Sequence, residues 1–144
     1  MYRLNVLSIF SRGLNRISLF YSRSVLPFYN ILKFKGQGVL FKGKPQIVGF
    51  CSVGIDRKAH VSIGENFRLV SNSLINPLCH SKSCFRVAAN GQLIIGNNVG
   101  MSSPIIWVRK SVIIGNHVNL GGGYNNIGLG CTFFKFPPST RRCC

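Results

Sequence analysis

Few side chains in this chain could move a proton or hold a metal: His60, His80 and His117, six cysteines, and the carboxylates Asp56 and Glu65. A general base working near neutral pH needs an imidazole held close to the hydroxyl it activates. His117 is the fourth residue of Ile114-Gly115-Asn116-His117-Val118, where Asn98 and Asn66 stand in Ile95-Gly96-Asn97-Asn98-Val99 and Ile63-Gly64-Glu65-Asn66-Phe67. That equivalence reads as a solvent-facing corner and not as a catalytic part. His60 precedes the apolar Val61 and should point outward, and His80 lies in an irregular stretch; both read as exposed surface. Cys51, Cys79, Cys84, Cys131, Cys143 and Cys144 form no C-x-x-C pair and share no recurring histidine spacing. Neither a zinc site nor a disulfide lattice is legible, so no metal is expected and the thiols read as reduced, in a cytoplasmic protein.

The elements that must position these groups are set by composition and pattern. A length of 144 residues with 46% hydrophobic side chains can fill the core of one domain. Eighteen Lys and Arg against two acids give a formal charge of +16, enough to attract a polyanion, a phosphorylated ligand or an anionic membrane surface. No interleaving of aromatic and basic residues suggests a single-strand stacking platform, which argues against nucleic acid.

Residues 1–35 carry six basic residues and no acid, and Leu4, Leu7, Phe10, Leu14, Ile17 and Tyr21 recur three or four apart. The spacing predicts a basic amphipathic helical arm, broken near Pro27. Its apolar stripe could pack on the body of the protein or a neighbouring subunit, or attach to anionic lipid, peripherally at the inner face of the membrane. Arg3, Arg12, Arg16 and Arg23 interrupt any spanning stretch, and no small-residue cleavage signal follows.

From Gly36 short apolar pairs alternate with Gly, Asn, Ser and Lys, the texture of short strands joined by tight corners. Inward pairs two residues apart are expected at Val61 and Ile63, Phe67 and Leu69, Ser73 and Ile75, each pair six positions after the last. Residues 76–86 interrupt the pattern and read as an excursion from a corner. The spacing resumes at Val87 and Ala89, Leu93 and Ile95, Val99 and Met101, Ile105 and Trp107, then shifts by one residue near Lys110 to Val112 and Ile114, Val118 and Leu120. Gly and Asn suit the corners because they tolerate left-handed backbone. Six residues per face and three faces per turn predict a triangular solenoid of parallel strands over 36–123.

This texture resembles the hexapeptide-repeat acyltransferases, and the stretches Ile95-Gly96-Asn97-Asn98-Val99-Gly100-Met101-Ser102 and Lys110-Ser111-Val112-Ile113-Ile114-Gly115-Asn116 are similar to those of its sugar and polysaccharide O-acetyltransferase branch. The resemblance runs from about Gly36 to Gly123. It implies a mainly β fold, a left-handed parallel β-helix, and direct acetyl transfer from acetyl-CoA to a sugar hydroxyl. It also implies a homotrimer with sites between neighbouring subunits.

Family members carry their catalytic His within Asp-Ser/Thr-Asp-x-His shortly after the second pentad, and this chain has no such motif. After Leu120 the next inward pair falls on Tyr124 and Asn126, and residues 124–144 keep no six-residue spacing, so they read as an aberrant tail. A frameshift accounts for this. With permitted codons chosen from Tyr124 onward, reading one base later spells Thr-Ile-Ile-Leu-Asp-Ser-Asp-Ala-His-Ser-Leu, which restores the acid-rich motif and its histidine. The histidine codon straddles Thr132, and the threonine cannot replace it, since a hydroxyl with no adjacent base is not a general base near neutral pH.

Ser102, Ser103 and Trp107 surround the corner after Met101 and could edge a cofactor groove between subunits; alternatively the serines shape a turn and Trp107 fills the core. Gly121-Gly122-Gly123 reads as a tight corner, because no helix is expected after it to complete a phosphate site. The expected function is an acetyl-CoA-dependent O-acetyltransferase disabled by loss of its base. The alternative is a non-enzymatic basic solenoid that binds acidic polysaccharide or a membrane surface.

Overall fold

The computed structural model describes residues 6–77, 81–121, 125–128 and 132–134, with the backbone alone for 6–10, 125–128 and 132–134. The chain opens with two helices, α1 (Val6–Ser24) and α2 (Leu26–Gly36). They break at Val25, and Pro27 sits in the first turn of α2, where its missing N–H costs no hydrogen bond. Short strands follow: β1 (Leu40–Phe41), β2 (Gln46–Gly49), β3 (Cys51–Ile55), β4 (His60–Ile63) and β5 (Arg68–Ser71). After an excursion come β6 (Ser83–Val87), β7 (Gln92–Ile95), β8 (Gly100–Ser102) and β9 (Ile105–Val108). The last are β10 (Ser111–Ile114), β11 (Asn119–Leu120), β12 (Asn125–Gly128) and β13 (Thr132–Phe134).

These strands form three parallel sheets, ordered β1-β4-β7-β10-β13, β2-β5-β8-β11 and β3-β6-β9-β12. The expectation of a left-handed β-helix, a hexapeptide solenoid, is corrected here: the fold is three short parallel sheets with two helices before them. No single period runs through the ladders: Asn97 bonds Asn116 at a separation of 19 residues and Glu65 bonds Asn97 at 32, because the chain leaves the sheets between Ser71 and Ser83.

The core runs between the sheets. Val61, Ile63, Phe67, Leu69, Leu93, Ile95, Val99, Met101, Val112, Ile114 and Val118 are all buried, on alternate residues of their strands. Three expected pairs differ. Ser73 is exposed and Ile75 half-buried, because the chain leaves the sheets after Ser71 and Asn72 folds the next residues into a turn, its Oδ1 accepting from the Leu74 N–H at 2.8 Å. The sheets resume at Ser83, where Phe85 and Val87 point inward and Ala89 is exposed. Ile106 and Val108 replace Ile105 and Trp107 as the inward pair of β9. Ser103 adopts a left-handed φ of 45° before Pro104, and a slip of one residue moves every side chain to the opposite face.

Helix α2 closes the end of the stack at β2 and β3. Leu26, Asn30 and Phe34 are buried, and the Phe34 ring meets Phe41 and Phe85 edge-on, at centroid separations of 5.9 and 5.5 Å. The same helix satisfies a strand edge. Asn30 Nδ2 donates to the Gly49 carbonyl at 2.8 Å, Lys33 Nζ to Cys51 O at 3.3 Å and Gln37 Nε2 to Val53 O at 3.0 Å, while the Ile55 N–H donates to Gln37 Oε1 at 2.8 Å. Edge strands expose unpaired backbone groups, and this row of side chains covers them.

Candidate functional site

The pentads that carry the sequence signal stack corner on corner. Gly64 N–H donates to Ile95 O and Gly96 N–H to Ile114 O, both at 2.8 Å. Asn97 Oδ1 accepts from the Glu65 N–H at 2.9 Å, and Asn116 Oδ1 accepts from the Asn97 N–H at 2.8 Å. Asn66 Nδ2 donates to Asn98 Oδ1 at 3.0 Å along the same corner.

The left-handed residues are the fourth of each pentad, Asn66, Asn98 and His117, with φ of 53°, 56° and 58°. Asn and His are among the few non-glycine types that tolerate this region. His117 is exposed, and its backbone N–H donates to Asn97 O at 2.9 Å. The pentad glycines serve a different need. A Cβ on Gly64 would lie 2.5 Å from Gly96 O, and one on Gly96 would lie 2.7 Å from Gly115 O, so adjacent backbones approach too closely for a side chain.

Ser102, Ser103 and Trp107 do not converge. Ser102 is half-buried and its Oγ accepts from Asn76 Nδ2 at 3.0 Å; it lines a groove with Arg68, Gly100, Asn119 and Gly121. Ser103 is buried, its N–H donates to Val70 O at 2.8 Å, and its Oγ has no partner among the described residues. Trp107 is 48% exposed on the outward face of β9 and lines a different groove, with Gln37, Asp56 and Arg86. His60 is exposed at the start of β4. His80 and Cys79 lie outside the described residues, as do Gly122 and Gly123 of the triple glycine and Cys131, Cys143 and Cys144. Thr132, the position at which the resemblance would place a catalytic histidine, stands opposite Val112 in the β10–β13 ladder. Among the described residues, no three His, Cys, Asp or Glu side chains gather to hold a metal ion.

Sequence reasoning did not distinguish Cys51 from the other thiols. It is buried beneath α2 at the start of β3, and Cys84 lies on the adjacent strand, its ladder partner being Ser52. Burial pushes the Cys51 thiol up from 9.0 to about 12; Lys33 lowers it and Cys84 raises it by smaller amounts. The folded protein therefore holds the proton more tightly than the unfolded chain. The resulting stabilisation is complete below about pH 9 and is lost as pH rises toward 12. Cys51→Ala should remove this alkaline slope from the denaturation midpoint. In the native protein at neutral pH, peptide mapping after iodoacetamide treatment should find Cys84 alkylated and Cys51 intact, with both labelled in denaturant. Rapid native labelling of Cys51 would contradict its placement.

No protein family, curated protein or solved structure matches this chain. The class that the structure itself defines is a stack of three parallel sheets closed at one end by a helix. No helix among the described residues is long and apolar enough to cross a membrane.

Proposed function

We infer that this chain is a hexapeptide-repeat-type acyltransferase, an acetyl-CoA-dependent O-acetyltransferase for a sugar or surface-polysaccharide hydroxyl, whose catalytic base has been lost from its sequence. The observation that carries this reading is the stacking of the two stretches with the family texture. Ile95 faces Ile114 in the β7–β10 ladder and Met101 faces Leu120 in the β8–β11 ladder, so the two blocks form neighbouring layers of one unit. Their residue types are explained jointly by the close approach at Gly96 and the left-handed backbone at Asn98 and His117.

A sugar hydroxyl attacks a thioester only when a base removes its proton and donors stabilise the oxyanion. The exposed corner at His117 has no described acidic partner to orient it, and Thr132 offers no basic nitrogen. The groove containing Arg68 and Ser102 supplies one cation and a hydroxyl for a phosphorylated co-substrate such as acetyl-CoA. By the same resemblance we propose a homotrimer in the cytoplasm, where the free thiols of Cys51 and Cys84 fit a reducing compartment.

Incubated with acetyl-CoA and a panel of sugars, the 144-residue chain should show no turnover above background. Robust turnover would defeat the claim of a missing base. The coding DNA is an independent check: if no single-base change after Gly123 opens a frame containing Asp-x-Asp-x-His, the frameshift origin is abandoned.

A further inference from the structure

Helix α1 meets the rest of the protein through its polar side. Ser22 is buried and its Oγ accepts from Asn72 Nδ2 at 2.8 Å. Leu14, Ile17 and Tyr21 recur three and four residues apart on the opposite side, and they remain 52%, 66% and 46% exposed. Phe20 extends this side. Helix α2 continues it: Leu26, Asn30 and Phe34 face the sheets, while Phe28, Tyr29 and Leu32 are exposed. Both helices thus carry apolar side chains that the other described residues leave uncovered, and clustered exposure of this kind marks an interaction site.

Cations border this surface. Arg12, Arg16 and Arg23 are exposed along one flank of α1, and Lys35 is exposed at the end of α2. The first carboxylate of the chain is Asp56, so no acid in 1–55 offsets them. Arginine stems can lie along an apolar boundary while their guanidinium groups reach phosphate. We propose that the α1–α2 face docks on an anionic lipid surface, with Leu14, Ile17, Phe20 and Phe28 entering the headgroup–acyl boundary and Arg12, Arg16 and Arg23 meeting lipid phosphates.

Two other occupants fit less well. A second copy of the chain docked on this face would set the Arg12, Arg16 and Arg23 flank of one molecule near that of the other, with no acid in 1–55 to offset it. A soluble acidic polysaccharide would satisfy the arginines and leave the aromatic side chains in water. A 19-residue α1 is about 28 Å long at 1.5 Å per residue, and with its regularly spaced arginines it suits lying in the interface.

The full chain should cosediment with vesicles of phosphatidylcholine containing a third phosphatidylglycerol, should fail to do so with pure phosphatidylcholine, and should release as salt is raised. The triple variant Arg12→Gln, Arg16→Gln, Arg23→Gln should partition on the order of 100-fold more weakly, from the loss of three cations near the surface. Ile17→Ser with Phe20→Ser should abolish sedimentation while circular dichroism and the unfolding midpoint stay near wild type, because both side chains are exposed. Equal binding to neutral vesicles overturns the proposal, as does retention of binding by the folded Ile17→Ser, Phe20→Ser variant. Self-association that this variant dissolves, with no vesicle binding by the parent, assigns the face to a second copy and likewise overturns it.

Discussion

Replacing the segment that begins at Tyr124 with Thr-Ile-Ile-Leu-Asp-Ser-Asp-Ala-His-Ser-Leu is expected to raise acetyl transfer from acetyl-CoA at least ~100-fold above the chain as it stands, the lower end of what a positioned general base contributes. The replacement acts on two levels. It puts isoleucine at position 126, in ladder register with Ile106 of β9. It also supplies an imidazole flanked by carboxylates that can orient it. Thr132→His alone should remain inert, since the acid-rich neighbours that would orient the imidazole are absent. In the replaced chain, changing the new histidine to alanine should return turnover to background. Thioester cleavage monitored as free thiol, with an added sugar required for the signal, separates transfer from simple hydrolysis. A replaced chain that folds but transfers no acetyl group to any sugar tested would count against the acyltransferase reading itself, whereas activity without the histidine would count against its role as base.

Much of the apolar register was legible because alternation and burial coincide along straight strands: Val61 and Ile63, Leu93 and Ile95, and Val112 and Ile114 all face inward. The errors lie at corners. At Ser103 a non-glycine residue takes a left-handed φ that no local motif signals, and β9 then buries Ile106 and Val108 and exposes Trp107. The consequence reaches the candidate site, since Ser102 and Trp107 end in different grooves. Asn97 pairs with Glu65 across the excursion and with Asn116 across the one-residue shift, both of which the apolar pattern marks. The apolar spacing of α1 was visible, but which side of it met the sheets was not. That depended on the long-range Ser22–Asn72 hydrogen bond and on the polar row of Asn30, Lys33 and Gln37, which resembles ordinary helix surface in the sequence.

Gly96→Ala should destabilise the protein by about 3 kcal/mol, the upper end for overpacking, despite adding a single methyl group. The new Cβ would sit 2.5 Å from Asn116 Oδ1 and 2.7 Å from Gly115 C and O. A flexible side chain could rotate away, but the Gly115 atoms belong to the backbone of the next layer, held by the β7–β10 ladder from Ser111 to Ile114. Relief therefore requires the layers to part, which also weakens the Asn97 N–H bond to Asn116 Oδ1. The same geometry recurs one layer away, where a Cβ on Gly64 would lie 2.5 Å from Gly96 O, so Gly64→Ala should cost a similar amount. Gly36→Ala is the control: nothing lies within 4 Å of its added Cβ at the end of α2, and its expected change is within about 0.5 kcal/mol. Denaturant midpoints of the three variants discriminate the causes. Large losses at Gly64 and Gly96 with little change at Gly36 mean that the pentad glycine is fixed by backbone contact between layers. Equal, small effects at all three would mean that the layers are spaced widely enough to admit a side chain, and the tight corner stack would be wrong.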